Sequence, residues 1–171
     1  MRRRGWLVVA IAIGAVVGSL GYAAAARTGE VSCPTAESTI VVDTKQHTLA
    51  LCADGRAVES FNVRLGKHGT GKSREGDGKT PLGRYPLAGP TPSQSFGLFI
   101  PVGYPTLEQR DHGYTGSAIG VHGPGRGVRW LGRLVNTFDL TEGCVGLATD
   151  DEMKRIADFV AKQNVREITI R

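Results

Sequence analysis

Two residues of this 171-residue chain have the type and the setting to make and break acyl bonds. Cys144 lies in Leu140-Thr141-Glu142-Gly143-Cys144-Val145-Gly146-Leu147, after a glycine and at the start of an apolar run. His122 ends the apolar run Ile119-Gly120-Val121 and is followed by Gly123. A cysteine is a strong nucleophile only as thiolate, so at neutral pH it needs a base or a cation beside it. His122 is the natural base. A strand ending in His122 and then glycine brings an imidazole to a sheet edge where the backbone can turn sharply. Cys144, opening its own run, sets its sulfur where an attacked carbonyl would meet the N–H groups of Gly143 and Cys144, the candidate oxyanion donors. Spacing alone favours a buried thiol and an unrelated surface histidine. A metal or cofactor is not expected: His47, His68, His112 and His122 lack the short spacings of a zinc site, and there is no C-x-x-C pair.

Another motif points to a different chemistry. Gly66-Lys67-His68-Gly69-Thr70-Gly71-Lys72-Ser73 reads G-x-x-x-x-G-K-S, the pattern of a phosphate-binding loop. Such a loop works only if a helix begins at the Lys-Ser pair and aims its N–H groups at the phosphates. Arg74-Glu75-Gly76-Asp77-Gly78-Lys79-Thr80-Pro81 follows instead, and two glycines and a proline forbid a helix there. The nucleotide reading is set aside.

The elements that must position the pair are short apolar runs between turn residues, the pattern of a mainly β domain. Strands are predicted at Ile40–Val42, Thr48–Leu51 and Ala57–Leu65, with Asp54-Gly55 as the hairpin turn between the last two. Residues 66–83 read as a long surface loop, and further strands are predicted at Leu98–Val102, Ala118–Val121 and Glu167–Ile170. One helix is expected, from Asp150 to Lys162: Thr149 and Glu152 form a capping box, and Met153, Ile156, Ala157 and Val160 follow at helical spacing. Between Gly125 and Phe138, Gly132 and the arginines Arg126, Arg129 and Arg133 suit a loop or short helix over the site.

At the N-terminus, Arg2, Arg3 and Arg4 precede an uncharged apolar stretch from Trp6 to about Ala26. This reads as a signal peptide or, alternatively, an inner-membrane anchor over 1–26, followed by a linker over 27–37 and one catalytic domain over 38–171. Either way the domain is expected outside the cytoplasm, in the periplasm or cell envelope. Three of the 21 basic residues but none of the 16 acids lie in that stretch, so the remainder is near neutral, about +2. No basic stripe is interleaved with aromatics, so no nucleic-acid partner is expected, and a monomer is. In an oxidising compartment Cys33 and Cys52 are expected to form a disulfide, leaving Cys144 free, with two buried free thiols as the alternative.

Taken in order, the segments resemble the L,D-transpeptidase catalytic domain, the YkuD or ErfK/YbiS/YcfS/YnhG family, from about Ser38 to about Val160. Gly76-Asp77-Gly78-Lys79-Thr80-Pro81-Leu82-Gly83-Arg84-Tyr85 resembles its G-D-x-K-T-P-x-G-x-Y segment, Ile119–Gly123 its I-x-I-H-G strand, and Gly143-Cys144-Val145 its G-C-I core. The resemblance implies a β-sandwich of mixed sheets with one C-terminal helix, Cys144 as nucleophile, His122 as base, Gly143 in the oxyanion hole, and the Gly123 carbonyl orienting the imidazole. It also implies peptidoglycan stem peptides as substrate, attacked through a thioester, with a second stem or a wall-anchored protein as acceptor. Hydrolysis of a cross-link or protein linkage and a silent wall-binding module remain alternatives.

The commonest family loop reads S-H-G-C-I-R-L; here Glu142 stands for the histidine and Gly146 for the arginine, as in a YafK-like sub-branch. The missing arginine removes a two-pronged carboxylate donor. Arg129 and Arg133 are candidates to replace it, and Glu142, expected to point away from the sulfur, is included among the substrate-binding candidates. Tyr104 and Trp130 are candidates for the groove wall, with core packing the stronger expectation for each.

Overall fold

The computed structural model describes residues 31–33 and 37–171; the expected leader and most of the linker lie outside the described residues. A three-stranded meander comes first: β1 (Thr39–Asp43), β2 (Thr48–Ala53) and β3 (Arg56–Arg64), each antiparallel to the next. Asp54 and Gly55 take φ of 51° and 71°, the left-handed pair that a two-residue hairpin turn requires. β4 (Gly83–Pro86) lies at one edge beside β9 (Glu167–Ile170), and β9 runs parallel to β1.

The far end of β3 changes neighbours. Val63 and Arg64 pair with Leu147 and Gly146 of β8 (Val145–Leu147), which runs parallel to β7 (Gly120–His122). β6 (Gly97–Pro101) and β5 (Thr91–Ser93) complete the order β4-β9-β1-β2-β3-β8-β7-β6-β5. The mixed, mainly β architecture is the expected one, with its two halves continuous through β3 as a single curled sheet.

Inside the curl, Ile40, Val42, Leu49 and Leu51 meet Ile100, Val121 and Leu147 from the other half in one core. The helix α2 (Asp150–Lys162) closes it, burying Met153, Ile156, Ala157 and Val160. Its start is fixed by the expected reciprocal cap: Thr149 Oγ1 accepts from the Glu152 N–H while the Glu152 carboxylate accepts from the Thr149 N–H. Fully burying a side chain such as Ile156 contributes about 2 kcal/mol.

β1 and β2 are buried on both faces, which explains the unbroken run Ile40-Val41-Val42. Their outer face, Val41, Ala50 and Cys52, is covered by Val31 and Cys33. A Cys33–Cys52 disulfide, with Cα atoms 5.7 Å apart, holds that cover in place.

The structure departs from expectation in four places. A short helix, α1 (Leu107–Asp111), is capped by Thr106 and Gln109. β4, β5 and β8 are strands where none was predicted. The 66–83 segment is not a surface loop throughout: Lys72 is 5% and Thr80 0% exposed. Trp130 is 81% exposed rather than in the core. It sits on the 3-10 segment Arg126–Thr137 and donates its indole N–H to the Gly127 carbonyl.

Candidate active site

The parallel pairing of β7 with β8 determines where the candidate catalytic residues lie. Val121 is opposite Val145 and His122 opposite Gly146, so Cys144, just before β8, arrives beside Gly120 at the start of β7. His122 and Cys144 both line a largely apolar cavity of about 630 Å³ whose walls include Phe96, Phe99, Val128, Val135 and Leu140.

His122 is 3% exposed, with its ring stacked on Phe96 at 3.8 Å between centroids. Nδ1 lies 2.7 Å from the Gly123 carbonyl oxygen. A carbonyl only accepts, so Nδ1 carries the proton and, in the neutral ring, Nε2 keeps the lone pair. The Gly123 carbonyl thus fixes the orientation of the ring. Burial pushes the ring's pKa down to about 4; the Gly123 carbonyl opposes this and the Arg64 charge adds to it.

The Cys144 thiol donates to the Ala118 carbonyl at 3.4 Å. Burial pushes its pKa up, while the Gly120 N–H bonded to it and the charge of Lys72 pull the other way. The histidine's pKa is thus lowered and the thiol's raised, two shifts that both favour the neutral form of the group.

The loop that carries Cys144 is held by backbone contacts on both sides. The Thr141 N–H donates to the Leu65 carbonyl, and the Lys67 N–H to the Thr141 carbonyl. Gly143 has φ of 125°, and a Cβ there would collide with the Lys79 carbonyl oxygen, so only glycine fits. Its N–H, the expected oxyanion donor, is engaged: it donates to Thr141 Oγ1 at 3.1 Å, and that hydroxyl donates to the Cys144 carbonyl at 2.7 Å. Gly143 can serve an oxyanion only if Thr141 releases it.

Behind this loop stands the segment that carries the G-x-x-x-x-G-K-S pattern. No helix follows it. Lys72 binds Asp77 Oδ1 at 2.8 Å instead, and the Asp77 carboxylate also accepts the N–H groups of Ser73, Arg74 and Lys79. Although burial opposes it, these four bonds hold the Asp77 carboxyl well below the usual carboxylate range. The lysine that would grip a phosphate is the buried cation of a loop clamp.

The other expected substrate-binding residues are dispersed. Glu142 is on the cavity wall, its carboxylate bonded to Lys67. Arg129 pairs with Asp150 and Arg133 with Glu152, and neither lines the cavity. Tyr104 is 6% exposed, packed edge-on against Tyr85, with its hydroxyl donating to the Lys72 and Thr115 carbonyls. It is a core residue, not a wall of the groove.

The residue that sequence reasoning missed is Arg64, which lines the cavity although only 4% exposed. The available signal was a charge set directly between two apolar residues, Val63 and Leu65, at the end of a predicted strand. Among the described residues no cluster of three or more His, Cys, Asp or Glu could hold a metal.

Comparison with known proteins bears on the family and the fold. The family model of the L,D-transpeptidase catalytic domain, YkuD, matches residues 37–168. Among solved structures, the helical cell shape determining protein Pgp2 from Campylobacter jejuni is similar at 22% identity and a TM-score of 0.62, covering 79% of this chain and 47% of its own. Bd1075 from Bdellovibrio bacteriovorus is similar at 24% identity and 0.59, covering 83% and 51%. An L,D-transpeptidase from Mycobacterium smegmatis matches at 15% identity and 0.51, covering 79% and 58%. The match spans about half the length of the first two proteins. No curated protein matches by sequence.

Proposed function

Because this chain belongs to the L,D-transpeptidase catalytic-domain family, we propose that it transfers acyl groups between peptidoglycan stem peptides through a thioester on Cys144. The observation that carries the reading is the convergence of His122 and Cys144, from adjoining parallel strands, on one cavity within the family match. Sγ attacks the carbonyl carbon of the third stem residue while its proton passes to Nε2 of His122. The tetrahedral adduct collapses, the C–N bond to D-alanine breaks, and the leaving amine takes that proton. An acceptor amine then attacks the thioester, gives its proton to Nε2, and the thiol is restored as the new amide forms. No external energy source is needed, since one amide replaces another.

Transfer rather than hydrolysis requires that a bound amine outcompete water. The apolar wall of Phe96, Val128, Val135 and Leu140 supports this by limiting ordered water around the sulfur. The uncharged N-terminal stretch supports export, which would bring the domain to the wall. The Thr141–Val145 loop keeps its resemblance to the YafK-like branch, with a stem as donor and a second stem or a wall-anchored protein as acceptor.

The test is product analysis by mass spectrometry after incubation with disaccharide-tetrapeptide and with its cross-linked dimer, wild type beside Cys144→Ala. Dimer formed from monomer with loss of D-alanine, only with the wild type, is the expected result. Monomer released from dimer would establish a hydrolase instead, and equal products from both proteins would remove the catalytic reading.

A further inference from the structure

Four residues form a row across the sheet beside the thiol. Arg64 of β3 pairs with Gly146 of β8, Gly146 with His122 of β7, and His122 with Phe99 of β6. Register partners share a face, and two strand spacings put the Cα atoms of Arg64 and His122 roughly 10 Å apart. The position between them has no side chain. A Cβ on Gly146 would fall 2.7 Å from Nε, 2.8 Å from Cγ and 2.9 Å from Cζ of Arg64. The arginine therefore lies across the glycine, toward the imidazole, and its charge is felt there.

Its hydrogen bonds leave one edge of the guanidinium unused. Nη1 donates to the Leu147 carbonyl at 3.0 Å and to Asn136 Oδ1 at 3.4 Å. Nε and Nη2, the edge that grips a carboxylate with two parallel bonds, bond to no described residue, and no described carboxylate pairs with Arg64. Burial lowers its pKa, the mark of a desolvated cation without a compensating anion. A buried charge without a counter-ion is costly, and a substrate can supply what the protein does not.

We propose that Arg64 binds a free carboxylate of the donor stem peptide through Nε and Nη2, across Gly146 and next to the Cys144–His122 pair. This deepens the acyl-transfer reading and rests on it. The donor's anionic group is held from β3, and Gly146 is small so that the guanidinium can reach.

The test uses the full-length protein and tetrapeptide stems in which the carboxylate of the leaving D-alanine, or each other carboxylate in turn, is a carboxamide. The wild type is expected to lose roughly 10- to 100-fold in kcat/KM on one of these amides, which identifies the carboxylate bound. Arg64→Gln should lose a similar factor on the acid, with the acid-to-amide ratio falling to about one, and Arg64→Lys should keep part of it. Gly146→Ala should behave like Arg64→Gln by displacing the guanidinium. If the wild type turns over every amide as fast as the acid, the inference fails while acyl transfer stands, with no variant needed. It fails equally if Arg64→Gln keeps the wild-type ratio at lower overall activity, which is what a purely structural arginine would do. No Cys144-dependent turnover of any stem would remove both readings.

Discussion

The two halves of the curled sheet are built by different means. On the β1–β2–β3–β9 side, strands of 4–9 residues are packed into an apolar core and held from outside by the Cys33–Cys52 disulfide. On the β5–β8 side the strands are 3–5 residues long, and the loops around Cys144 are held by side chains bonding to backbone: Asp77, Thr80 and Thr141. The first half stores stability; the second fixes atoms in the positions that chemistry needs. Damage to the first should therefore change melting temperature without changing turnover, and damage to the second should change turnover more than its stability cost explains.

The largest separation is expected from Cys144→Ala: turnover of stem peptides falls at least about 10³-fold while the thermal midpoint stays near the wild-type value, read by product formation and calorimetry. Loss of the disulfide should do the reverse. Replacing Cys33 and Cys52 with serine removes about 3 kcal/mol for a 19-residue separation, lowering the midpoint by about 10 °C, with kcat/KM unchanged. A fall in kcat/KM measured well below the midpoint would break the comparison.

Asp77→Asn comes next and sharpens it, because Asp77 belongs to the catalytic half yet acts only through the loop. Loss of the charge that holds Lys72 and three N–H groups is expected to cost about 2 kcal/mol and to lower turnover as well. Its pH dependence has a definite sign. The folded carboxyl's pKa is held below its ordinary value of 3.8, so the contribution is full above about pH 4 and is lost as pH falls through the folded value. The stability gap between wild type and Asp77→Asn should therefore be constant near neutrality and narrow below pH 4.

The smallest effect is one of pH profile. Burial keeps His122 neutral down to about 4, so the acid limb of kcat/KM should fall near pH 4 rather than 6.5. A limb at 6.5 would mean an imidazole open to solvent.

How much was legible beforehand follows the same division. α2 and β9 have their expected bounds, because caps and apolar periodicity are local signals several residues long. β1–β3 and their Asp-Gly turn were legible for the same reason. His122 and Cys144 could be paired from motif order, and the fold supplies the parallel register that joins them. β5 escaped because three residues, one of them proline, do not complete an alternation. Tyr104 and Trp130 were not separable by type, since an aromatic serves a core or a surface equally well. Arg64 was hidden because its role depends on Gly146, distant in sequence and adjacent only across β3 and β8. Arg129 and Arg133 looked available as charges, but their partners on α2 become visible only in three dimensions.

The central claim, that Cys144 carries the acyl group, is tested most directly by intact-protein mass spectrometry after rapid quenching with disaccharide-tetrapeptide. The expected result is an added mass equal to the donor less D-alanine, located on the Cys144 peptide, present in the wild type and missing in Cys144→Ala. Product formation at an undiminished rate by Cys144→Ala, or an acyl adduct on any other residue, would contradict it.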